Sequence, residues 1–386
     1  MSLPALKFMG FESLEWQPRR LDTILKKLSD PVKVETDKYY REIGIRSHGK
    51  GIFHKEPIKG SDLGKKRVFW VKPDALALNI VFAWEQAFGV TSEEEKGFIA
   101  SHRFPMYLPK DNLCSTKFLK YFFLTKKGKM YLELASPGGA GRNKTLGQKN
   151  FDSLTVTIPS INEQNKIVSF LTAIDEKISQ LTQKNMLLAQ YKKGVMQQIF
   201  SQELRFKDDD GQDFPKWQEQ RLDELLDYEQ PTKYLVASTE YHASYTTPVL
   251  TAGKKFILGY SNETTGIFKA GLPVIIFDDF TTAFKYVTFP FKAKSSAMKI
   301  LKNKVKENSI KYIFEAMNLI DFATGDEHKR YWISEFSKLT IPIPCNNEQS
   351  KIANFLTAID DMLSHTQAQL AAIKLYKQGL LQQMFV

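Results

Sequence analysis

The sequence has little cysteine and no long apolar segment, and both shortages exclude whole classes of protein. Cys114 and Cys345 are the only two cysteines among 386 residues, so neither a disulfide scaffold nor a multi-cysteine zinc site is expected. No apolar run approaches the ~18 residues that a membrane-spanning helix needs, and the N-terminus lacks the apolar stretch of a signal peptide. We therefore expect a cytoplasmic protein in a reducing environment.

The sequence also lacks a convincing catalytic motif. Its six histidines form no paired zinc spacing. Gly138–Thr145 approaches a phosphate-binding loop, but Asn143 replaces the glycine that lets the backbone enclose a phosphate. Asp74, Glu94 and Lys96 imitate a metal-dependent nuclease, although the segment around Glu94 is typical of a solvated turn. We expect no catalytic residue, no metal and no cofactor in this chain.

An excess of basic residues indicates a polyanionic partner. The chain has 54 Lys+Arg against 43 Asp+Glu, a formal net charge of +11. Residues 1–150 account for it, with 27 Lys+Arg against 16 Asp+Glu. A local strip from Lys285 to Lys311 has eight lysines and one acid, interleaved with aromatic residues. Both a nucleic-acid face and an ordinary solvated surface fit that strip.

A repeat determines the predicted architecture. Leu154–Phe200 aligns without a gap on Leu339–Phe385, and 22 of the 47 paired positions are identical. A shorter repeat opens each half, because the Trp-Gln pair at Trp16 and the Arg-Leu-Asp that follows it return at Trp217. The chain is therefore two copies of one plan, each with a start motif, a variable body and a shared tail.

Each shared tail is predicted to be a long helix. Ser160 and Glu163 fit a capping box, and apolar residues then recur at alternating steps of four and three. This heptad period predicts that the two helices pair as an antiparallel coiled coil; separate packing of each helix on its own module is the alternative. The positions assigned to the core of the pair are Ile167, Leu171, Ile174, Ile178, Leu181, Leu188, Ile352, Leu356, Ile359, Leu363, Leu370 and Ile373.

Polar residues interrupt both apolar stripes. They are Asn185 and Lys192 in the first copy and Thr366 and Lys377 in the second. Polar residues in a helix-pair core can fix register and orientation at some loss of stability.

The bodies are predicted to be mixed α/β, which makes the fold class α/β of the α+β type. Strand-like runs include Ile80–Phe82, Met130–Leu134 and Pro273–Phe277. The expected domains are a first body, a central helical repeat, a connector, a second body and a C-terminal helical repeat, at residues 1–153, 154–200, 201–216, 217–338 and 339–386.

In this arrangement the chain resembles the specificity subunit of type I restriction–modification enzymes. The resemblance covers essentially the entire chain. It is strongest in Ile158–Ile167, in Tyr191–Phe200 and in their copies ending at Phe385, and Arg205–Trp217 is similar to the connector between the family's repeats. The two bodies look like target recognition domains, including the segment Leu272–Thr281.

The resemblance implies a DNA reader that performs no chemistry itself. Each target recognition domain would read one half of a split, asymmetric site in double-stranded DNA, and the paired helices would hold the halves at a fixed separation. The helices would also dock methyltransferase subunits, two of them, which use S-adenosylmethionine. Restriction and translocase subunits would add ATP- and Mg-dependent translocation and cleavage. Such a protein would act in a prokaryotic cytoplasm, at the nucleoid, in defence against foreign DNA.

The residues expected to contact DNA lie near turns in the basic parts of both bodies. Cations neutralise phosphates, while shorter polar side chains reach base edges. The candidates are Arg41, Arg46, His48, Lys50, Arg103, Arg142, Lys144, Thr281, Thr282, Lys292, Lys294, Ser295, Ser296 and Lys299. Two other functions stay open, namely a coiled-coil transcription regulator and a Mg-dependent nuclease that uses Asp74, Glu94 and Lys96.

Overall fold

The chain forms two compact units. The computed structural model describes residues 4–11, 15–138, 144–253, 255–323 and 329–385. Unit 1 consists of Met1–Gln183 and Gln367–Val386, and unit 2 of Lys184–Thr366. Among the helices of these described ranges, none is both long enough and apolar enough to cross a membrane.

In the body of unit 1, the described residues form short strands and four short α-helices. Its strands are β1 (Gln17–Arg20), β2 (Leu25–Leu28), β3 (Tyr39–Tyr40), β4 (Ile43–Arg46), β5 (Gly51–His54), β6 (Ile58–Lys59), β7 (Val68–Trp70), β8 (Leu76–Leu78), β9 (Phe88–Val90), β10 (Ile99–Ser101), β11 (Met106–Pro109) and β12 (Thr155–Ile158). Its helices are α1 (Leu21–Ile24), α2 (Thr116–Leu124), α3 (Lys126–Leu134) and α4 (Gln148–Ser153).

The long helix α5 (Ile161–Phe200) follows the body of unit 1 and leads into unit 2. The strands of unit 2 are β13 (Gln218–Arg221), β14 (Leu226–Glu229), β15 (Thr247–Leu250), β16 (Ile257–Ser261), β17 (Val274–Asp278), β18 (Phe284–Val287), β19 (Lys292–Ala293), β20 (Met298–Asn303) and β21 (Thr340–Ile343). Its helices are α6 (Leu222–Leu225), α7 (Ile310–Met317), α8 (Tyr331–Ser334) and the long α9 (Asn346–Met384), which ends in unit 1.

Both bodies contain the same four-stranded antiparallel sheet. The strand order is β2-β11-β8-β9 in unit 1 and β14-β20-β17-β18 in unit 2. The third strands, β8 and β17, pair with other strands on both sides, and their residues are apolar and buried except for the half-buried Asp278 at the end of β17. A capped helix follows each sheet, α2 after Ser115 and α7 after Ser309, and each serine hydroxyl accepts from a backbone N–H of the first turn.

Each body is closed by a two-stranded clasp that joins the start motif to the shared tail. In clasp 1, β1 pairs antiparallel with β12, and Gln17 lies opposite Ile158. In clasp 2, β13 pairs with β21, and Gln218 lies opposite Ile343. The two repeated motifs found in the sequence are therefore the two halves of one local structure.

Two of the three predicted strand-like runs are wrong. Met130–Leu134 lies in helix α3, where Thr125 caps the first turn by accepting from the Gly128 N–H. Ile80–Phe82 lies in a turn that follows β8. Both runs were too short for periodicity to separate strand from helix or turn. The third run is confirmed as strand β17.

The two predicted long helices are confirmed, and segments of them pack together inside each unit. In unit 1, Ile167 and Leu171 of α5 share a core with Leu380 and Met384 of α9. In unit 2, the core includes the second half of α5 and the first half of α9. There, Asn185 contacts Leu363 and Lys192 contacts Asp360, so the two segments run antiparallel.

The predicted helix-core positions are buried to different degrees. The buried ones are Ile167, Leu171, Ile174, Leu181, Ile352, Leu356 and Ile359. The half-buried ones are Ile178, Leu188, Leu363, Leu370 and Ile373. A regular heptad coil over the whole length of both helices stays a prediction.

Candidate nucleic-acid interface

In unit 1, three segments that are distant in sequence meet where the central strand β8 ends. The side-chain oxygen of Asn79 accepts from the Val81 N–H at 3.1 Å, which forms the turn after the strand. The Ile80 N–H donates to the Arg103 carbonyl at 3.1 Å, and the Leu146 N–H donates to the Ile80 carbonyl at 2.8 Å. We call residues 79–82, 101–104 and 144–146 edge 1.

Unit 2 repeats this arrangement where β17 ends. The side-chain oxygen of Asp278 accepts from the Phe280 N–H at 3.1 Å. The Asp279 N–H donates to the Ala297 carbonyl at 3.1 Å, and the Tyr331 N–H donates to the Asp279 carbonyl at 2.9 Å. We call residues 278–282, 294–297 and 329–331 edge 2. The two edges share their backbone hydrogen bonds but not their side chains.

The structure divides the basic candidates of unit 1 between edge 1 and the hairpin of β4 and β5. Arg103 is exposed on edge 1, and the Lys144 ammonium lies 5.3 Å from the ring centre of Trp84. The exposed residues Arg41, Arg46, His48 and Lys50 lie on or beside the hairpin. Arg142 lies outside the described residues.

The hairpin candidates are held by aromatic rings and backbone contacts. The Arg46 guanidinium lies 4.5 Å from the ring centre of Phe53, and that of Arg41 lies 5.4 Å from Phe98. The His48 backbone is left-handed, with φ of 60°, and its N–H donates to the Glu85 carbonyl at 2.7 Å. Arg41 is therefore at the open end of the hairpin, while His48 and Lys50 are at its closed end.

In unit 2, five candidates lie on edge 2. Thr281, Ser295 and Ser296 are exposed, and Thr282 and Lys294 are half-buried. All five therefore present polar groups from turns, the location in which binding residues are commonly found.

Lys292 and Lys299 correct the prediction. Only 1% of Lys299 is exposed, and its ammonium lies 3.3 Å from the Asp279 carboxylate. Lys292 is 2% exposed and forms an ion pair with Glu263 at 2.9 Å. An ammonium that is buried in an ion pair is not available to a phosphate, so both lysines are structural. The order of lysines and aromatic residues along the strip gave no sign of which lysine side chains point into the protein.

Sequence reasoning also missed a contact that anchors each long helix. The Trp16 indole N–H donates to Glu163 at 3.1 Å, and the Trp217 indole N–H donates to Glu348 at 2.9 Å. Only Glu348 also binds a guanidinium, that of Arg205, at 2.7 Å. The signal was present, because the tryptophan and the glutamate both belong to repeated motifs.

A second repeated residue fixes the cap of the neighbouring helix. The side-chain oxygen of Gln164 accepts from the Ser115 N–H at 2.8 Å, and that of Gln349 accepts from the Ser309 N–H at 2.9 Å. Both glutamines are fully buried. The start of each long helix is thereby fixed to α2 or α7 of its own unit.

The two lysines that interrupt the apolar stripes occupy equivalent positions and form equivalent ion pairs. Lys192 of α5 binds Asp360 of α9 at 2.6 Å in unit 2. Lys377 of α9 binds Asp175 of α5 in unit 1. Each lysine therefore joins one helix to the other, which suits the register-fixing role of a polar core residue.

Among the described residues, the two acidic residues of the nuclease alternative, Asp74 and Glu94, do not belong to one cluster of metal-binding groups. Asp74 pairs with Lys117 at 3.5 Å, and Lys96 pairs with Glu93 at 3.6 Å. In the part of the chain that the structure describes, Glu94 groups with His54 and Glu95, and Asp74 is not a member of that group. Although burial raises the pKa of Glu95, hydrogen bonds from His54 and Ser92 hold it below its ordinary value.

Comparison with solved structures places this fold in a class. The chain is similar to the S subunit of a type I restriction–modification system from M. genitalium, with a TM-score of 0.67, 15% identity, and coverage of 100% of this chain and 99% of that chain. It is also similar to a chain from a study of complex assembly and conformational transition of the type I R-M system, with a TM-score of 0.52, 14% identity and coverage of 96% and 97%. The fold is therefore that of the S subunits.

The family model of the type I restriction modification DNA specificity domain matches residues 73–189 and 215–375. The chain belongs to this family, which confirms the resemblance. It is 52% identical over 158 residues to the EcoR124I/EcoR124II specificity subunit of Escherichia coli. That match spans 39% of this chain and 39% of the relative's length.

Proposed function

We propose that the chain is the sequence-specific DNA-recognition subunit of a type I restriction–modification complex. Unit 1 reads one half of a split target in double-stranded DNA, and unit 2 reads the other. The observation that carries the proposal is the pair of edges. Both rest on the same three hydrogen bonds, two between backbone groups and one from a backbone N–H to a side-chain oxygen, yet Arg103 of edge 1 is replaced by Ala297 at the equivalent position of edge 2. Different side chains on one framework favour two different half-sites.

The proposal includes two methyltransferase partners, because each unit has a cleft between its long-helix segment and its capped helix. The clefts measure about 550 Å³ in unit 1 and about 980 Å³ in unit 2. Equivalent residues of the repeat line them, including Thr172 and Thr357, and Glu176 and Asp361. One methyltransferase subunit would dock in each cleft and bring S-adenosylmethionine. Restriction and translocase subunits would supply ATP- and Mg-dependent steps, on DNA of the nucleoid.

We also propose that α5 and α9 set the number of base pairs between the half-sites. Each helix passes from one unit to the other without interruption. An insertion of four residues after Lys184 lengthens α5 by ~6 Å, so the preferred spacer should grow by one or two base pairs while both half-site sequences are kept.

The main test exchanges residues 21–154, the segment between the strands of clasp 1, for the matching body of another family member. We expect methylation sequencing of the co-expressed complex to show one new half-site and one unchanged half-site. A change in both half-sites together would contradict the two-reader proposal. A purified chain that self-associates and binds DNA without a methyltransferase would favour a transcription regulator, and Mg-dependent cleavage by the chain alone would favour a nuclease.

A further inference from the structure

A cleft of about 560 Å³ opens in unit 1 at edge 1, and the proposed function names no contact to a base within it. It lies between the turn after β8, the turn before β11 and the open end of the β4–β5 hairpin. The lining residues that matter to its chemistry are Glu42, Lys55, Lys66, Asn79, Phe82 and Arg103.

Two buried polar side chains line this cleft. Glu42 is 5% exposed and Asn79 is 9% exposed. The Glu42 carboxylate has a single contact among the described residues, a hydrogen bond from Lys55 at 3.4 Å. A carboxylate accepts about four hydrogen bonds, so most of the accepting capacity of Glu42 is unused. Asn79 uses its oxygen in its own turn, which leaves its amide NH₂ as a donor.

Basic and aromatic side chains surround these two groups. Lys66 and Arg103 are exposed cations, and Phe82 is an exposed aromatic residue, with 37% of its surface accessible. Cations attract the DNA backbone, and an aromatic face contacts a base or a thymine methyl group. A carboxylate in the same cleft repels phosphate. Its position among cations therefore points to a donor group on the ligand and not to the backbone.

The ligand that fits this arrangement is the edge of a nucleobase with an exocyclic amino group. Glutamate accepts from the N4 amino group of cytosine, and the N6 amino group of adenine offers the same donor in the major groove. The amide NH₂ of Asn79, beside the Glu42 carboxylate, is a donor that matches N7 of adenine, the acceptor next to its amino group.

We propose that this cleft reads one base of the half-site bound by unit 1, with Glu42 accepting a hydrogen bond from the amino group of a cytosine or an adenine. The proposal rests on the proposed function and deepens it, because it names the residue that sets one base of the target. Lys55 orients the carboxylate, and Lys66 holds an adjacent phosphate.

The test is the variant Glu42→Gln in the complex with its methyltransferase, read by methylation sequencing of a library of targets. Glutamine keeps the shape of the side chain but presents a donor at one of the two acceptor positions. We expect preference at one base pair of one half-site to fall about tenfold, because one contact to a base edge is lost, while the other half-site stays unchanged. Glu56→Gln, an exposed residue close in sequence, is the matched control and should leave the target intact.

Two other results would overturn the proposal. One is an unchanged target for Glu42→Gln. The other is equal weakening of all sequences, which would mean that Glu42 supports the fold and reads no base. If Glu42→Gln does not fold, Glu42→Asp is the second variant, because it keeps the carboxylate on a shorter side chain. It should weaken the same base preference, and an unchanged preference in that variant overturns the proposal. Failure of the proposed function is distinguishable, because the body exchange would then alter both half-sites together or neither of them.

Discussion

The two units share one framework but stabilise it with different chemistry. At two equivalent positions, unit 1 has a neutral residue where unit 2 has a charged one. Tyr121 of α2 contacts the Asp175 carboxylate at 2.9 Å, and the equivalent position of α7 is Glu315. Ile80 of edge 1 is replaced by Asp279 in edge 2. The same backbone therefore tolerates a neutral hydrogen bond or a buried ion pair, provided that every charge finds its partner.

The contacts between each capped helix and the long helices show the difference between charged and neutral groups most clearly. Glu315 is 1% exposed and receives Lys192 at 3.0 Å and Lys311 at 2.6 Å. In unit 1, burial raises the pKa of Tyr121 above its ordinary value, so its hydroxyl stays a neutral donor. Unit 2 should depend more strongly than unit 1 on the pairing of charges.

The largest effect is expected at the buried ion pair of edge 2. Lys299→Met leaves the Asp279 carboxylate, which is 0% exposed, without its cation, and breaking such a pair costs ~3–5 kcal/mol. Urea unfolding should show this loss, and hydrogen exchange should locate it in unit 2. The double variant Asp279→Asn/Lys299→Met should recover most of it, whereas Lys306→Met, an exposed control, should change little. A loss below ~1 kcal/mol would show that the pair is not stabilising edge 2.

A smaller, paired effect is expected from the lysines that join the long helices. Lys192→Met leaves Glu315 and Asp360 with only Lys311, and the free energy of unfolding of unit 2 should fall by about 2 kcal/mol. Lys377→Met removes the ion pair of Asp175 but leaves its hydrogen bond from Tyr121, so unit 1 should lose only about 1 kcal/mol. Hydrogen exchange of the two variants measures both losses. If both variants lost the same free energy of unfolding, unit 2 would not depend on charge pairing more strongly than unit 1.

The third comparison concerns the tryptophan–glutamate contacts, and it includes the smallest expected effect, that of Glu163→Gln. Glu348→Gln weakens a charged hydrogen bond to Arg205 and should cost about 1.5 kcal/mol. Glu163→Gln should change stability at pH 7 by less than about 0.5 kcal/mol, because among the described residues Glu163 has no guanidinium partner and one of its buried oxygens has no hydrogen-bond partner.

Replacing Glu163 should instead change how the stability of unit 1 depends on pH. Burial raises the pKa of Glu163 above its ordinary value of 4.5, so folded unit 1 keeps the proton to a higher pH than the unfolded chain does. Its contribution to stability is therefore present below that ordinary value and is lost as the pH rises through the raised pKa. As the pH rises through this range, the free energy of unfolding should decline in the native protein and change less in Glu163→Gln. An identical profile in both would contradict this assignment.

The sequence predicted the long helices and the family from their repeats, but it did not predict the contacts between the repeated residues or the features that differ between the units. The heptad stripe and the duplicated motifs were enough for α5, α9 and the family, because long periodic segments and exact repeats are strong signals. The inward direction of Lys292 and Lys299 depends on sheet register, which no local pattern determines. Glu42 and Arg103 are brought to one cleft by tertiary folding, and their sequence neighbours gave no sign of it.

The clasps have a consequence for the size of the bodies. Each clasp closes one chain loop, residues 21–154 in unit 1 and residues 222–339 in unit 2. Loop-closure entropy rises only with the logarithm of loop length, so the difference between these two loops is worth about 0.1 kcal/mol. Bodies of different length can therefore be held by the same clasp at almost the same entropic cost, and the register of four paired residues, not the number of residues between them, is what each body must preserve.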